Sequence, residues 1–134
     1  MTTYVDTSAL MKRYVEEDGS AAAQEWLSAD PVLVTSWVTM VEVRRNLARL
    51  LDGAALAAAR QQCVADLDHF AMVAVDDALS HAAAEIAEVL GVRSLDALHL
   101  ASAQRLQVPG LTFLTFDLRQ AQAARSLGFT VAGV

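Results

Sequence analysis

The chain has 134 residues, of which 54% are hydrophobic, and its formal charge is −6 from 16 acidic and 10 basic residues. This length suits one sizeable core but not two ordinary domains, so we expect a single domain over residues 1–134. The acidic balance argues against a protein that holds nucleic acid through a broad basic face. No apolar run approaches the roughly 20 residues of a membrane span, and no signal peptide opens the chain, so we expect a cytoplasmic protein without a membrane partner.

Strands and helices alternate along the chain. Apolar, β-branched runs predict strands at 3–5, 32–35, 72–75, 111–115 and, at an edge, 130–132. Helical periods bounded by Ser, Asp and Gly predict helices at 8–15, 21–27, 36–51, 54–70, 77–90, 95–106 and 117–127. Strands separated by helices imply right-handed crossovers, which predicts an α/β fold with a parallel sheet covered on both faces.

Four acidic residues stand out against this frame. Asp6 and Asp117 directly follow buried strands, Glu42 lies in the helix after the second strand, and Asp96 lies in the first turn of a later helix. The carboxyl ends of parallel strands meet at one edge of a sheet, where open α/β folds bind ligands. Clustered carboxylates raise one another's pKa values, and a cation relieves that repulsion. Oxygen-only sites of this kind suit Mg²⁺ or Mn²⁺.

Each of these residues also has an ordinary structural role open to it. An Asp beside a helix start acts as a cap or interacts favourably with the helix dipole. Glu42 could pair with Arg45, three residues further along the same helix. Taken singly, these structural roles are the commoner explanation, and the case for a site depends on the four residues converging.

Four short motifs occur in order across nearly the whole chain: Asp6-Thr7-Ser8-Ala9-Leu10; Thr35-Ser36 followed by Glu42; Asp96-Ala97-Leu98-His99-Leu100-Ala101; and Thr115-Phe116-Asp117 with Ala121, Ala124 and Gly128 behind it. In these motifs the chain resembles the PIN-domain ribonucleases, and within them the VapC-type toxins of type II toxin–antitoxin pairs. The resemblance implies a three-layer fold with the sheet order 3-2-1-4-5. It also implies endonucleolytic RNA cleavage that leaves a 5′-phosphate and a 3′-hydroxyl, a homodimer, and a VapB-like antitoxin as partner.

The resemblance also implies a role for each carboxylate. Asp6 and Asp96 are expected as direct ligands of Mg²⁺ or Mn²⁺, and Asp117 as a ligand or as the carboxylate of a second metal. Glu42 is expected to bind through water or to orient the attacking water. Many relatives carry a further acidic residue two positions after the last Asp, and here that position is Arg119. The resemblance therefore leaves open whether a complete second metal site is present.

Other polar residues have weaker expectations. Thr7, Ser8 and Thr115 could fix carboxylate rotamers or simply serve as caps and strand-end hydroxyls. His99 could pack or position a ligand, since no second His or Cys stands at metal-ligand spacing. A further basic group could contact RNA or the antitoxin, or could form a solvated face: Arg44, Arg45, Arg49 and Arg119.

Three other functions are compatible with part of this pattern. A phosphoacceptor receiver domain needs a Lys after its last strand, but the only Lys is Lys12. A haloacid-dehalogenase-type phosphatase needs a second Asp two positions after the first, where this chain has Ser8. A non-catalytic PIN-like binding module stays open, because Arg119 and the acidic balance both suit it.

Overall fold

The computed structural model describes every residue from Met1 to Val134. Five strands and seven helices alternate as the sequence predicts, and their bounds are β1 Thr2–Val5, α1 Thr7–Tyr14, α2 Ser20–Ala29, β2 Val32–Ser36, α3 Trp37–Leu50, α4 Gly53–Leu67, β3 Ala71–Val73, α5 Asp77–Leu90, α6 Ser94–Arg105, β4 Thr112–Thr115, α7 Leu118–Ser126 and β5 Thr130–Gly133. None of these helices combines the length and the apolar character needed to cross a membrane.

The five strands form one sheet in the order β3-β2-β1-β4-β5, and every neighbouring pair is parallel. The expected order 3-2-1-4-5 is therefore confirmed. β1 is the central strand, with Thr3 opposite Leu33 of β2 on one side and Thr112 of β4 on the other. The chain reverses direction across the sheet at β1, so the crevice beyond the carboxyl ends of β1 and β4 is the expected ligand site of such a fold.

Alternating residues of the sheet build two cores. Tyr4 and Phe113 face one side, where their rings stack with centroids 5.2 Å apart beneath α5, α6 and α7. Val5 and Leu114 face the other side, beneath α1 to α4. This period of two places apolar side chains on both faces, as a fully covered parallel sheet requires. The result is the three-layer α/β fold that the resemblance implies.

Several element boundaries differ from the prediction. α4 ends at Leu67 rather than at residue 70, because His69 and Phe70 donate to the carbonyls three residues earlier and tighten the chain into a turn. β3 ends at Val73 rather than at residue 75, since its partner β2 ends at Ser36 where α3 begins. Ser36 caps α3 as predicted, its hydroxyl accepting from the Val38 amide.

Gly133 at the end of β5 offers a test of how tightly the sheet is built. Its φ is +105°, and a Cβ placed there would overlap the Thr115 carbonyl oxygen. We expect Gly133→Ala to lower the free energy of unfolding by about 2–4 kcal/mol, through backbone strain and overpacking together.

The matched control is Gly128→Ala. Its φ is +88°, but a Cβ there meets no heavy atom within 4 Å, so only backbone strain of about 1–2 kcal/mol is expected. Urea unfolding of both variants measures the difference. Equal losses would show that contact with Thr115 contributes nothing.

Candidate active site

The fold brings the four carboxylates toward one edge of the sheet. Asp6 directly follows β1 and Asp117 lies just beyond β4, while Glu42 projects from α3 and Asp96 from the first turn of α6. Charge interactions link the members: Asp6 and Asp117 both act on the pKa of Asp96. All four predicted site residues therefore lie near the carboxyl end of β1.

Asp6 is held by hydroxyl groups and is only 5% exposed. Thr115 Oγ1 and Ser8 Oγ donate to its Oδ2 atom over 2.7 and 3.0 Å. Its backbone amide continues the β1–β4 ladder by donating to Leu114 O. The Asp6 side chain makes no capping hydrogen bond to α1, so the simple cap interpretation is wrong. Its Oδ1 atom accepts no hydrogen bond and remains available to a ligand.

Glu42 meets His99 rather than Arg45. His99 Nε2 lies 2.6 Å from Glu42 Oε1, and Thr7 Oγ1 donates to the same oxygen over 2.8 Å. His99 Nε2 also lies 3.5 Å from Asp6 Oδ1. Arg45 instead donates to Asn46, and the pairing of Glu42 with Arg45 is not formed.

The charges of Glu42 and His99 stabilise each other. Burial disfavours a charged imidazole, but the carboxylates of Asp6 and Glu42 outweigh it and raise the pKa of His99. Burial likewise acts against the Glu42 carboxylate, yet the hydrogen bond and charge of His99 lower its pKa overall. On its other side, His99 Nδ1 lies 2.9 Å from the hydroxyl of Tyr4, which anchors the imidazole to the core.

Arg93 lies at the outer half of the cluster, which is formed by Asp96 and Asp117. Its Nε donates to Asp96 Oδ2 over 2.9 Å, and its Nη2 lies 3.5 Å from Asp117 Oδ2. The pKa of Asp96 is nevertheless raised, because burial and the charges of Asp6 and Asp117 outweigh Arg93. The cluster thus carries more negative charge than its own basic groups neutralise.

Asp117 combines a structural role with its place in the cluster. Its Oδ1 accepts from the Arg119 and Gln120 amides and caps α7, while Oδ2 faces Arg93. Gln120, itself buried, donates through its side-chain amide to the Asp96 carbonyl over 3.1 Å. Gln120 therefore joins the start of α7, which Asp117 caps, to Asp96 in α6.

These donors fit a hard divalent cation in chemistry. All four side chains offer carboxylate oxygen. Burial, together with the charges of Asp6 and Asp117, raises the pKa of Asp96, and a cation would favour its ionised form. No group of three or more His, Cys, Asp or Glu side chains is arranged to hold a metal ion. Arg93 and His99 are instead hydrogen-bonded to Asp96 and Glu42. Binding a cation therefore requires the carboxylate side chains to draw closer together than they lie here.

The remaining predicted residues divide into two groups. Ser8, Thr7, Thr115 and His99 contact the carboxylates directly. The side chains of the exposed basic residues, three on α3 and one on α7, make no bond to them: Arg44, Arg45, Arg49 and Arg119.

Sequence reasoning missed three contacts. The pair of Arg93 with Asp96 has i,i+3 spacing across a helix start and could have been found from the sequence. The bonds of Tyr4 with His99 and of Gln120 with Asp96 join distant segments and leave no signal in the pattern.

Comparison with known proteins places the chain in a family. A family model for the PIN domain matches residues 3–126. Ribonuclease VapC46 of Mycobacterium tuberculosis is 35% identical over 128 residues, which cover 96% of this chain and 94% of that protein.

Solved structures share the fold. The VapC20 toxin of Mycobacterium tuberculosis, described as cleaving the sarcin-ricin loop, superposes with a TM-score of 0.72 and 20% identity over 96% of both chains. VapBC-5 from the same organism, a toxin–antitoxin system, gives a TM-score of 0.67 and 20% identity over 99% of this chain and 98% of that one. The chain therefore belongs to the VapC ribonucleases of the PIN domain family.

Proposed function

We propose that the chain is the toxin of a toxin–antitoxin pair and cleaves RNA endonucleolytically with Mg²⁺ or Mn²⁺ as cofactor. The observation that carries the proposal is the cluster of Asp6, Glu42, Asp96 and Asp117 beyond the carboxyl ends of β1 and β4. Its relatives are named ribonucleases, and VapBC-5 is named as a toxin–antitoxin system. A homodimer remains a prediction of the resemblance.

The free oxygen atoms suggest a division of roles. Asp6 Oδ1, Asp96 and Asp117 would hold the cation, because Asp6 Oδ2 is already fixed by Thr115 and Ser8. When bound there, a divalent cation would lower the pKa of a water molecule and offset negative charge on the scissile phosphate.

Glu42 is the residue suited to the attacking water. Its Oε1 atom is fixed by Thr7 and His99, whereas Oε2 accepts no hydrogen bond and is free to orient a water or take its proton. His99 holds the carboxylate in place from the core side. These two residues therefore act as one unit. His99 positions the Glu42 carboxylate, and Glu42 contacts the reacting water.

A non-catalytic PIN-like binding module is the second candidate. It is favoured by one observation, since Arg93 and His99 already pair with the carboxylates without any added cation. RNA cleavage by the purified protein that stops in EDTA would support the enzyme, and absence of cleavage with any divalent cation would support the binding module.

Asp96→Asn tests the cation site. We expect the rate of RNA cleavage to fall at least about 100-fold. This loss is at the upper end of, or beyond, what removing a residue that only hydrogen-bonds to a metal ligand costs. Mn²⁺ should raise the unfolding temperature of the natural protein by mass action but not that of the variant. In EDTA the variant should be as stable as the natural protein or more so, because burial and neighbouring charges raise the pKa of the Asp96 carboxyl and disfavour its ionised form.

The control for this test is Asp52→Asn, an exposed aspartate whose side chain makes no capping bond. It removes the same charge and should leave cleavage and the Mn²⁺ response unchanged. An Mn²⁺ response in Asp96→Asn equal to that of the natural protein would remove Asp96 from the site.

His99 variants test the positioning of Glu42. His99→Phe removes the donor to Glu42 Oε1, and we expect kcat to fall about 10–100-fold, as for other groups that orient a ligand. His99→Gln keeps an N–H donor and should recover part of that loss. Thermal unfolding of both variants checks the fold, and equal kcat values for Phe and Gln would contradict the positioning role.

An antitoxin arginine would suit the outer half of the cluster, since Arg93 already places a guanidinium between Asp96 and Asp117. Trp37 and Val41, 48% and 60% exposed on α3 beside Glu42, offer an apolar face for an antitoxin helix. The −6 charge of the chain favours association with a basic segment.

This mode of inhibition predicts competition with the cation. We expect increasing Mn²⁺ to weaken inhibition by an antitoxin peptide, and replacement of its inserting Arg by Ala to release cleavage. Inhibition constants measured across a Mn²⁺ series give the answer. Inhibition that ignores both changes would mean that the antitoxin acts away from the carboxylates.

A further inference from the structure

A cavity of about 420 Å³ opens beside the carboxylate cluster, between the end of α5, the start of α6 and one face of α7. Asp96 forms part of its wall, so the cavity is continuous with the candidate active site. Its volume lies within the roughly 300–1,000 Å³ of pockets that bind small molecules. It is therefore large enough to take one unit of a polymeric substrate next to the reacting centre.

Two arginines line this cavity. Arg119 lines it, and its guanidinium makes no hydrogen bond or ion pair within the chain. Arg93 lines it too, with its side chain 68% exposed although it contacts Asp96. Guanidinium groups bind phosphate oxygens through parallel N–H donors, and two of them in an acidic protein mark a place for an anion.

Uncharged donors and acceptors complete the wall. Gln122 has an exposed side-chain amide without a hydrogen bond, and Ser126 keeps an acceptor although its hydroxyl donates to the Gln122 carbonyl. Groups of this kind can contact ribose hydroxyls and base edges.

A second cavity of similar size has no charged lining, so charged side chains are not common to every cavity of this protein. It measures about 400 Å³ and lies at the amino ends of β4 and β5, away from the cluster, and no charged side chain lines it.

We propose that the cavity between α5, α6 and α7 binds the nucleotide adjoining the scissile phosphate, with Arg93 and Arg119 on its phosphate and Gln122 and Ser126 beside its sugar or base. The assignment rests on the proposed RNA cleavage, because it places a neighbouring nucleotide of the same strand next to Asp96. A broad basic face is then unnecessary. Two arginines at the cavity supply the phosphate contacts that the overall −6 charge would otherwise oppose.

Amide NMR in EDTA tests the cavity without any catalysis. The four nucleoside 5′-monophosphates are titrated separately into the natural protein at low salt, beside inorganic phosphate and adenosine as partial ligands. We expect saturable shifts at residues 91–96 and 119–126 with at least one nucleotide, and weaker binding of each partial ligand. Inorganic phosphate that binds as tightly as the nucleotides would overturn the nucleotide site.

Arg119→Ala supplies the decisive variant, since this side chain makes no contact on which the fold depends. It should weaken nucleotide binding about tenfold, the usual effect of losing one charged hydrogen bond. Arg60→Ala is the matched control, an exposed arginine on α4 that does not line the cavity and should bind as the natural protein does. Absence of shifts at the cavity, or equal affinity in both variants, would overturn the assignment.

RNA cleavage separates this proposal from the proposed function. In Arg119→Ala we expect KM to rise about tenfold with kcat within about twofold, because a phosphate contact away from the reacting atoms binds substrate and transition state alike. An unchanged KM would overturn the assignment while leaving the ribonuclease intact. Nucleotide binding at the cavity in a protein that cleaves no RNA would instead refute the ribonuclease and keep the site.

Discussion

The structure depends on one buried negative charge. Asp6 lies at the end of the central strand and is 5% exposed, so its carboxylate has lost most of its water and needs donors from the protein. Thr115 and Ser8 provide them, from the end of β4 and the start of α1. Thr115 is in turn fixed against β5, which passes so closely that Gly133 has no room for a Cβ. Sheet pairing, helix start and edge strand therefore all serve to keep one carboxylate in place.

The cluster around Asp6 has two halves. In the inner half, Glu42 is paired with the buried His99, and in the outer half, Asp96 and Asp117 are paired with the exposed Arg93. The side chain of His99 is 2% exposed and bonded on both ring nitrogens, so its pairing with Glu42 is built into the core. Arg93 is 68% exposed and reaches Asp117 over 3.5 Å, and exposed pairs of this kind contribute little stability. A cation, an RNA phosphate beside Arg93 and an antitoxin arginine would therefore all act on the outer half.

The sequence predicted the architecture better than the contacts. Apolar runs and Gly or Asp boundaries are local signals, which is why the alternation of strands and helices and the strand-end positions of Asp6 and Asp117 could be read directly. The strand order came from the family resemblance. The partner of Glu42 could not be predicted, because α3 meets α6 only in the folded chain and brings in His99 from 57 positions away. The pair of Arg93 with Asp96 is local, at i,i+3 spacing, and could have been predicted from the sequence.

The position of β1 also has a consequence for biosynthesis. This strand leaves the ribosome before either of its neighbours, and one of them, β4, begins only at Thr112. Its backbone groups on that side lack their native partners until more than a hundred residues have been made. Asp117 emerges later still, so a nascent chain that ends before it cannot assemble all four carboxylates. Pairing across so long a separation is slow. The topology therefore delays the complete site until Asp117 has been made, more than a hundred residues after Asp6.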